Sequence, residues 1–260
     1  LNDGVAAARG ELIVFADARQ RFSTTTIPAL AAAFADPDVG AVSGELMIDP
    51  SSAGVASGVD TYWRLEKAIR LAESQFDSAI GCTGAIYAIR KRCFEPLPDD
   101  TLLDDVVCPM QIALQGLRVL FSPEAVALDP QPLSPRNELR RKRRTLAGNF
   151  QMLFRYPSWL LPWKNRLLFQ LLSHKYLRLA APFLLITTFA SSLLLAGRGS
   201  LFHSAGAIIQ SLFYLCAILG MALPRIRAKC LSLPAAFVFL NLTTLLGLMD
   251  YLGKRNRKGW

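Results

Sequence analysis

The sequence predicts an α/β domain that runs into membrane helices. Three observations carry this reading: strand-like and helix-like segments alternate over the first half, three long uncharged runs fill the last third, and the charge changes sign along the chain. Of 260 residues 52% are hydrophobic, with 29 basic against 20 acidic side chains, which excludes disorder, collagen-like repeats and a small disulfide scaffold. Residues 1–135 hold 10 Lys/Arg and 18 Asp/Glu, residues 136–178 hold 11 and 1, and residues 179–260 hold 8 and 1. An acidic domain, a basic collar and then apolar runs is the order of a cytosolic domain feeding into a bilayer. A uniformly basic nucleic-acid binder would look different. Cys82, Cys93, Cys108, Cys216 and Cys230, with His174 and His203, show no zinc or disulfide spacing. The chain opens at Leu1 in what reads as the middle of a domain, so it is expected to be a fragment whose N-terminal part lies upstream.

The elements follow in order. Glu11 to Ala16 is short, apolar and rich in strand formers, as a strand buried on both faces would be, and it ends in the polar Asp17-Ala18-Arg19-Gln20. Thr24-Thr25-Thr26-Ile27-Pro28 opens a helix carrying Leu30 and Phe34, which Asp36-Pro37-Asp38 stops. Val39 to Ile48 reads as a second strand, Ser57 to Ser78 as a long amphipathic helix, and Gly81 to Arg90 as a glycine-punctuated third strand. Asp104 and Asp105 precede the apolar Val106–Leu114, closed by Gly116 as a helix would be. A last strand, Leu117 to Phe121, ends at Ser122-Pro123. This alternation predicts a layered α/β domain over 1–135 with a largely parallel sheet.

Residues 136–175 form a basic and interfacial segment. Arg136 to Arg144 is nearly all charge, and Phe154 to Leu172 mixes Trp159, Trp163 and Phe169 with Arg155, Lys164 and Arg166, the composition of an interfacial amphipathic helix. Within 176–260, residues 179–196, 205–223 and 231–249 carry no charge over 18 or 19 residues, close to the roughly 20 that cross a bilayer. With the first domain cytosolic, Arg225, Arg227 and Lys229 fall inside, as the positive-inside rule wants. Three full spans put Lys254, Arg255, Arg257 and Lys258 outside, so either the last segment is re-entrant or the rule is broken there.

Several residues have both a functional and a structural reading. Asp17 stands where a strand emerges, a position suited to holding a divalent cation against a diphosphate, or to an ordinary solvated loop. Asp104 and Asp105 in a first helical turn suit the helix dipole, at about 0.3–1 kcal/mol each; one of them can equally be a general base that takes the proton of an acceptor hydroxyl. The run Arg140–Arg144 suits anionic lipid or a pyrophosphate, and lacks the fold signature and stacking aromatics of a nucleic-acid site. Gly81-Cys82-Thr83-Gly84 lacks the spacing of a phosphate loop, so its glycines are read as places of close backbone approach.

Taken in order, these pieces resemble the processive, membrane-embedded family 2 glycosyltransferases, the group of cellulose, chitin and hyaluronan synthases. Ala8 to Ala18 is similar to the strand leading into that family's Asp-x-Asp metal and nucleotide motif. Cys82-Thr83-Gly84 is similar to its Cys-Gly-Ser segment, which contacts the acceptor. Leu103-Asp104-Asp105 stands where the family has Thr-Glu-Asp, and Arg141 to Gly148 where it has Gln-x-x-Arg-Trp and small residues. Arg19 stands at the second Asp of the first motif, Arg141 replaces Gln and Thr145 replaces Trp.

The resemblance implies the C-terminal half of a GT-A-type, Rossmann-like domain, an interfacial helix and transmembrane helices. It implies inverting transfer of a hexosyl unit from a nucleotide-diphosphate sugar to a carbohydrate or lipid-linked hydroxyl, at the cytosolic face of a plasma or inner membrane, in polysaccharide, glycolipid or cell-envelope synthesis. Asp105 is then the base, Asp17 with Mg²⁺ or Mn²⁺ and Arg144 balance the diphosphate, and Cys82, Thr83, Gly84, Asp104 and Arg141 meet substrate or acceptor. The isolated fragment is expected to be inactive. The rival reading is a non-catalytic, transferase-like scaffold that binds anionic lipid through Arg140–Arg144, which Arg19, Arg141 and Thr145 favour.

Overall fold

A computed structural model describes residues 1–48, 57–130, 135–223 and 228–253, without the side chains of 48, 57–64, 135 and 136. The side chains of residues 57–64 in the expected amphipathic helix, the loop residues Arg225 and Arg227 and the cationic tail from Lys254 lie outside what is described. The chain forms two compact units, one of Leu1–Glu138 with Gln151–His174, the other of Leu139–Phe150 with Lys175–Trp260.

In the first unit the short helix α1 (Asn2–Ala7) precedes β1 (Leu12–Ala16) and β2 (Arg21–Phe22). Then come α2 (Thr26–Ala32), β3 (Val39–Ile48), α3 (Ser57–Phe76), β4 (Ile86–Arg90), α4 (Asp104–Leu114) and β5 (Arg118–Asp129). The sheet order is β1-β4-β3-β5-β2. Among the described residues only β3 and β5 pair in parallel; β4 runs opposite to both β1 and β3, and β2 opposite to β5. The largely parallel sheet expected from the alternation is therefore corrected to a mixed one. Alternation of element types constrains which segments are strands, but β4 reaches its place between β1 and β3 by long-range packing.

That insertion also decides burial. β4 is covered on both faces, with Ile86, Tyr87, Ala88 and Ile89 all at 0–1% exposure. β1 lies at an edge, where Val14 stays 40% exposed, so its expected two-sided burial is corrected to one. Leu30 and Phe34 from α2 and the turn after it join Val39, Val42 and Ile86 in the core. The Arg90 guanidinium ties this layer together by donating to the carbonyls of Val39, Phe34 and Asp36 at 2.7, 2.8 and 2.9 Å.

β5 runs on past Phe121 to Asp129, straight through Pro123, where a strand end was expected. Opposite Ser43 and Glu45 its register jumps from Phe121 to Val126, so Ser122–Ala125 bulge against Gly44. A bulge is one of the few places where a strand tolerates a proline's missing donor, and Gly44 has no Cβ to strike the Ala125 carbonyl. α4 packs over β3 where Gly40 makes room for Ile112, and Gly116, at φ +93, turns the chain into β5.

The segment 154–172 is not one amphipathic helix. The helix α5 (Pro135–Arg155) ends there, followed by a 3₁₀ turn at Pro157–Leu160, the single turn α6 (Leu168–Gln170) and a π-helical turn, Leu171–Tyr176. Pro157 and Pro162 remove donors that a continuous helix needs, and the Asn165 side chain takes the Trp159 carbonyl at 2.8 Å while accepting from the Leu167 amide at 2.9 Å.

The second unit holds α7 (Leu177–Ala196), α8 (Leu201–Ala222) and α9 (Lys229–Leu252), three helices long and apolar enough to cross a membrane. They contain the expected runs at 179–196 and 231–249 and all but the last residue of 205–223. Their outward apolar side chains, such as Leu201 at 86% and Leu194 at 71%, suit a lipid surrounding. Phe213 meets Phe237 edge to face at 5.6 Å, and Gly220 lets α8 touch the backbone of α9 at Leu231. Residues 139–150 of α5 belong to this unit. A Cβ on Gly247 of α9 would stand 2.7 Å from the Leu146 Cβ and 3.2 Å from the Ala147 nitrogen, and close by Arg143 grips Asp250 at 2.8 and 2.6 Å.

Candidate active site

In the first unit the structure gathers most of the singled-out residues around one short segment, 82–85. β1 and β4 are antiparallel with Ala16 opposite Ile86, so the end of β1 and the approach to β4 lie at the same end of the sheet. Asp17 therefore leaves β1 beside Ala85, to whose carbonyl its amide donates at 3.3 Å. Its carboxylate-bearing residue is exposed.

The other flank is the start of α4. Gly81, at φ +86, turns the chain so that the Cys82 amide donates to the Asp105 carbonyl at 2.7 Å. Two residues on, a Cβ on Gly84 would stand 3.2 Å from Asp105 Oδ2, so the bare glycine is what admits this carboxylate. The close approach read from the glycines is thus made by Asp105. Asp104 and Asp105 are half-buried in the first turn of α4, as expected, with the apolar face from Val106 onward in the core.

Cys82 and Thr83 support the segment from below. Both are buried, and the Thr83 amide donates to Ser43 Oγ at 2.9 Å. Burial, with Cys108 as the next contribution, pushes the Cys82 thiol well above the ordinary thiol range, so it stays protonated and inert as a nucleophile. Gly84 is the partly open residue of the three. Ser43 carried no motif and was missed; only its place in a β-strand beside the turn reveals it.

Arg19, at the second position of the acidic motif, turns to Asp129 at the end of β5, 3.2 Å away. Asp129 is 3% exposed, so the cation answers a buried carboxylate rather than facing Asp17's side of the loop by default. Among the described residues no group of three or more His, Cys, Asp or Glu side chains is placed to hold a metal ion. A single exposed carboxylate still fits a magnesium-like ion whose other ligands are phosphate oxygens and water.

Arg141 and Arg144 belong to the second unit, where Arg141 is exposed and Arg144 half-buried on α5. Within the run read as a lipid or diphosphate contact, Arg143 is committed to Asp250.

Residues 12–249 match the family model described as Glycosyl transferase family group 2. Among solved structures the chain is similar to the mannosyltransferase PcManGT from Pyrobaculum calidifontis in complex with GDP-Man and Mn²⁺, at 24% identity and a TM-score of 0.66. The match covers 97% of this chain and 65% of that one, and at this identity it is a likeness of fold. No curated protein matches the chain.

Proposed function

Because the chain belongs to glycosyl transferase family group 2, with a GT-A-type α/β fold followed by helices of membrane-spanning length, we propose that its complete protein is an inverting sugar transferase. It moves a hexosyl unit from a nucleotide-diphosphate sugar to the hydroxyl of a carbohydrate or lipid-linked acceptor at the cytosolic membrane face. The observation that carries this reading is the placement of Asp105 against Gly84 on one flank of residues 82–85, with Asp17 on the other.

In this reading Asp105 accepts the acceptor hydroxyl's proton as that oxygen attacks the anomeric carbon from the face opposite the leaving diphosphate. One C–O bond forms, one breaks, and the configuration inverts. Gly84 leaves the space in which the hydroxyl meets the carboxylate, while Cys82 and Thr83 hold the turn. Asp104 and Arg141 meet substrate or acceptor, and Arg144 balances charge on the departing diphosphate. Asp17 is the residue that would hold a divalent cation, which supplies charge neutralisation on the diphosphate when bound. The GDP-Man and Mn²⁺ bound by the similar mannosyltransferase make that donor and that ion the first to try.

The test uses the complete protein in nanodiscs with a panel of nucleotide sugars, including GDP-mannose, each with Mg²⁺, Mn²⁺ or EDTA, and detects released nucleoside diphosphate. Release with one donor, lost in Asp105→Asn while donor binding and insertion persist, supports the reading. A folded, inserted protein that releases nothing with any donor favours the lipid-binding scaffold instead.

A further inference from the structure

The first unit contains a buried ionic cluster outside the segment just described. Glu66 and Glu73 lie two turns apart on one face of α3, and His174, in the π-helical turn, stands between them. Its Nδ1 is 2.8 Å from Glu73 Oε1 and its Nε2 is 3.1 Å from Glu66 Oε1. The side chains are only 4%, 9% and 9% exposed. Arg70 adds a cation 3.6 Å from Glu66. Two carboxylates in such a place are costly unless donors answer them, and an imidazolium donates from both nitrogens where a neutral ring donates from one.

The second oxygen of Glu73 says what the cluster holds. Oε2 accepts the Ile80 amide at 3.2 Å, a buried bond. Ile80 is followed by Gly81 at φ +86, and then by Cys82, whose amide reaches the Asp105 carbonyl at 2.7 Å. The start of this turn is fixed separately, by the Ala79 amide on the Val119 carbonyl at 2.9 Å, and its end by Thr83 on Ser43 at 2.9 Å. Between those anchors, the Glu73 carboxylate sets the height of the Ile80 amide plane, and His174 sets Glu73.

We propose that His174 is a positioning residue: through Glu73 it holds the Ile80–Gly84 turn at the spacing from Asp105 that aligns the acceptor hydroxyl. The proposal rests on Asp105 being the base. Without the imidazole, Glu73 turns toward water, the Ile80 amide loses its acceptor, and the turn drifts between anchors that remain intact. Alignment suffers and donor binding does not, since displacements near 1 Å can cost about a hundredfold in rate without loss of the fold.

The complete protein in nanodiscs is compared with His174→Ala, His174→Lys and Glu73→Gln. Hydrogen exchange is followed at residues 79–84, and turnover is followed with the nucleotide sugar that the wild type consumes. His174→Ala should speed exchange at Ile80 and Cys82 by about tenfold or more with other segments unchanged, and lower kcat by about tenfold or more with donor KM within about twofold. Glu73→Gln, whose amide oxygen can still accept from Ile80, should fall between. His174→Lys, which can donate to both glutamates, should restore both readouts. Wild-type exchange at 79–84 in a folded His174→Ala protein overturns the proposal, as does a folded lysine variant with slowed turnover. Should the alanine variant not fold, the lysine variant decides by the same two readouts. If Asp105→Asn leaves turnover intact, the base reading fails by itself, and the exchange measurement still reports on the tether.

Discussion

The two units each bring an aspartate to a place where a glycine lets chains come close, and they use it differently. In the first unit Gly84 faces Asp105 Oδ2, so the missing Cβ makes room for the carboxylate itself. In the second, Gly247 makes room for the backbone of α5 at Leu146 and Ala147, and Asp250 closes the contact in a two-pronged bond with Arg143. A carboxylate held in such a fork is spent on geometry. The one set against a bare glycine at a helix start is, in our proposal, the base that meets the acceptor hydroxyl. The same pairing of residue types thus serves assembly in one unit and, in our reading, chemistry in the other.

That contrast can be broken in order of size. Asp105→Asn should lower turnover by about 10²–10⁴-fold with the thermal midpoint nearly unchanged; a large fall in the midpoint would place Asp105 with Asp250 as an assembly residue. Asp250→Ala should cost about 2–3 kcal/mol of stability, since it strands Arg143 in a partly buried site. Unfolding in detergent measures this, and the reversed pair Arg143→Asp with Asp250→Arg should recover part of it. Gly247→Ala forces backbone apart and should cost about 1–3 kcal/mol, whereas Gly84→Ala displaces only a side-chain oxygen and should slow turnover about tenfold with little loss of stability.

A further effect, seen only at high pH, concerns the apolar underside of α4. Burial, with Asp104 as the next contribution, pushes the Cys108 thiol up to about 12. The unfolded chain therefore gives up this proton first. Stability is fully present below about pH 9 and falls as the pH climbs toward 12, by roughly 1 kcal/mol per unit. Cys108→Ala should flatten the dependence of the unfolding midpoint between pH 8 and 10.5.

Local signals were readable where a residue's own chemistry decides. The span of β3, the start of α4 at Asp104, its closure at Gly116 and the three apolar helices all follow from propensity, capping and hydropathy. Strand direction was not readable, because the position of β4 depends on pairing with residues about 75 positions away at Leu12–Ala16. The proline in β5 read as a stop because its bulge exists only opposite Gly44. The helix expected over 154–172 rests on aromatic and cationic composition alone, which takes no account of the breakers Pro157 and Pro162. Of the proposed site, motif order singles out Asp17, Cys82–Gly84 and Asp105, and the structure places Asp17 and Asp105 beside residues 82–85. His174 and Glu73 were invisible, since no periodicity links residues 101 positions apart.

The parallel pairing of β3 with β5 has a consequence for biosynthesis. Val39 waits for Arg118, about 80 residues later in the chain, which at 5–20 residues per second is roughly 4–16 s of translation. Through that interval the apolar flank of β3 and the bare backbone at Gly44 have no partner, a window in which a nascent chain depends on chaperones. The sheet can close only once β5 is made, shortly before the first membrane-length helix leaves the ribosome.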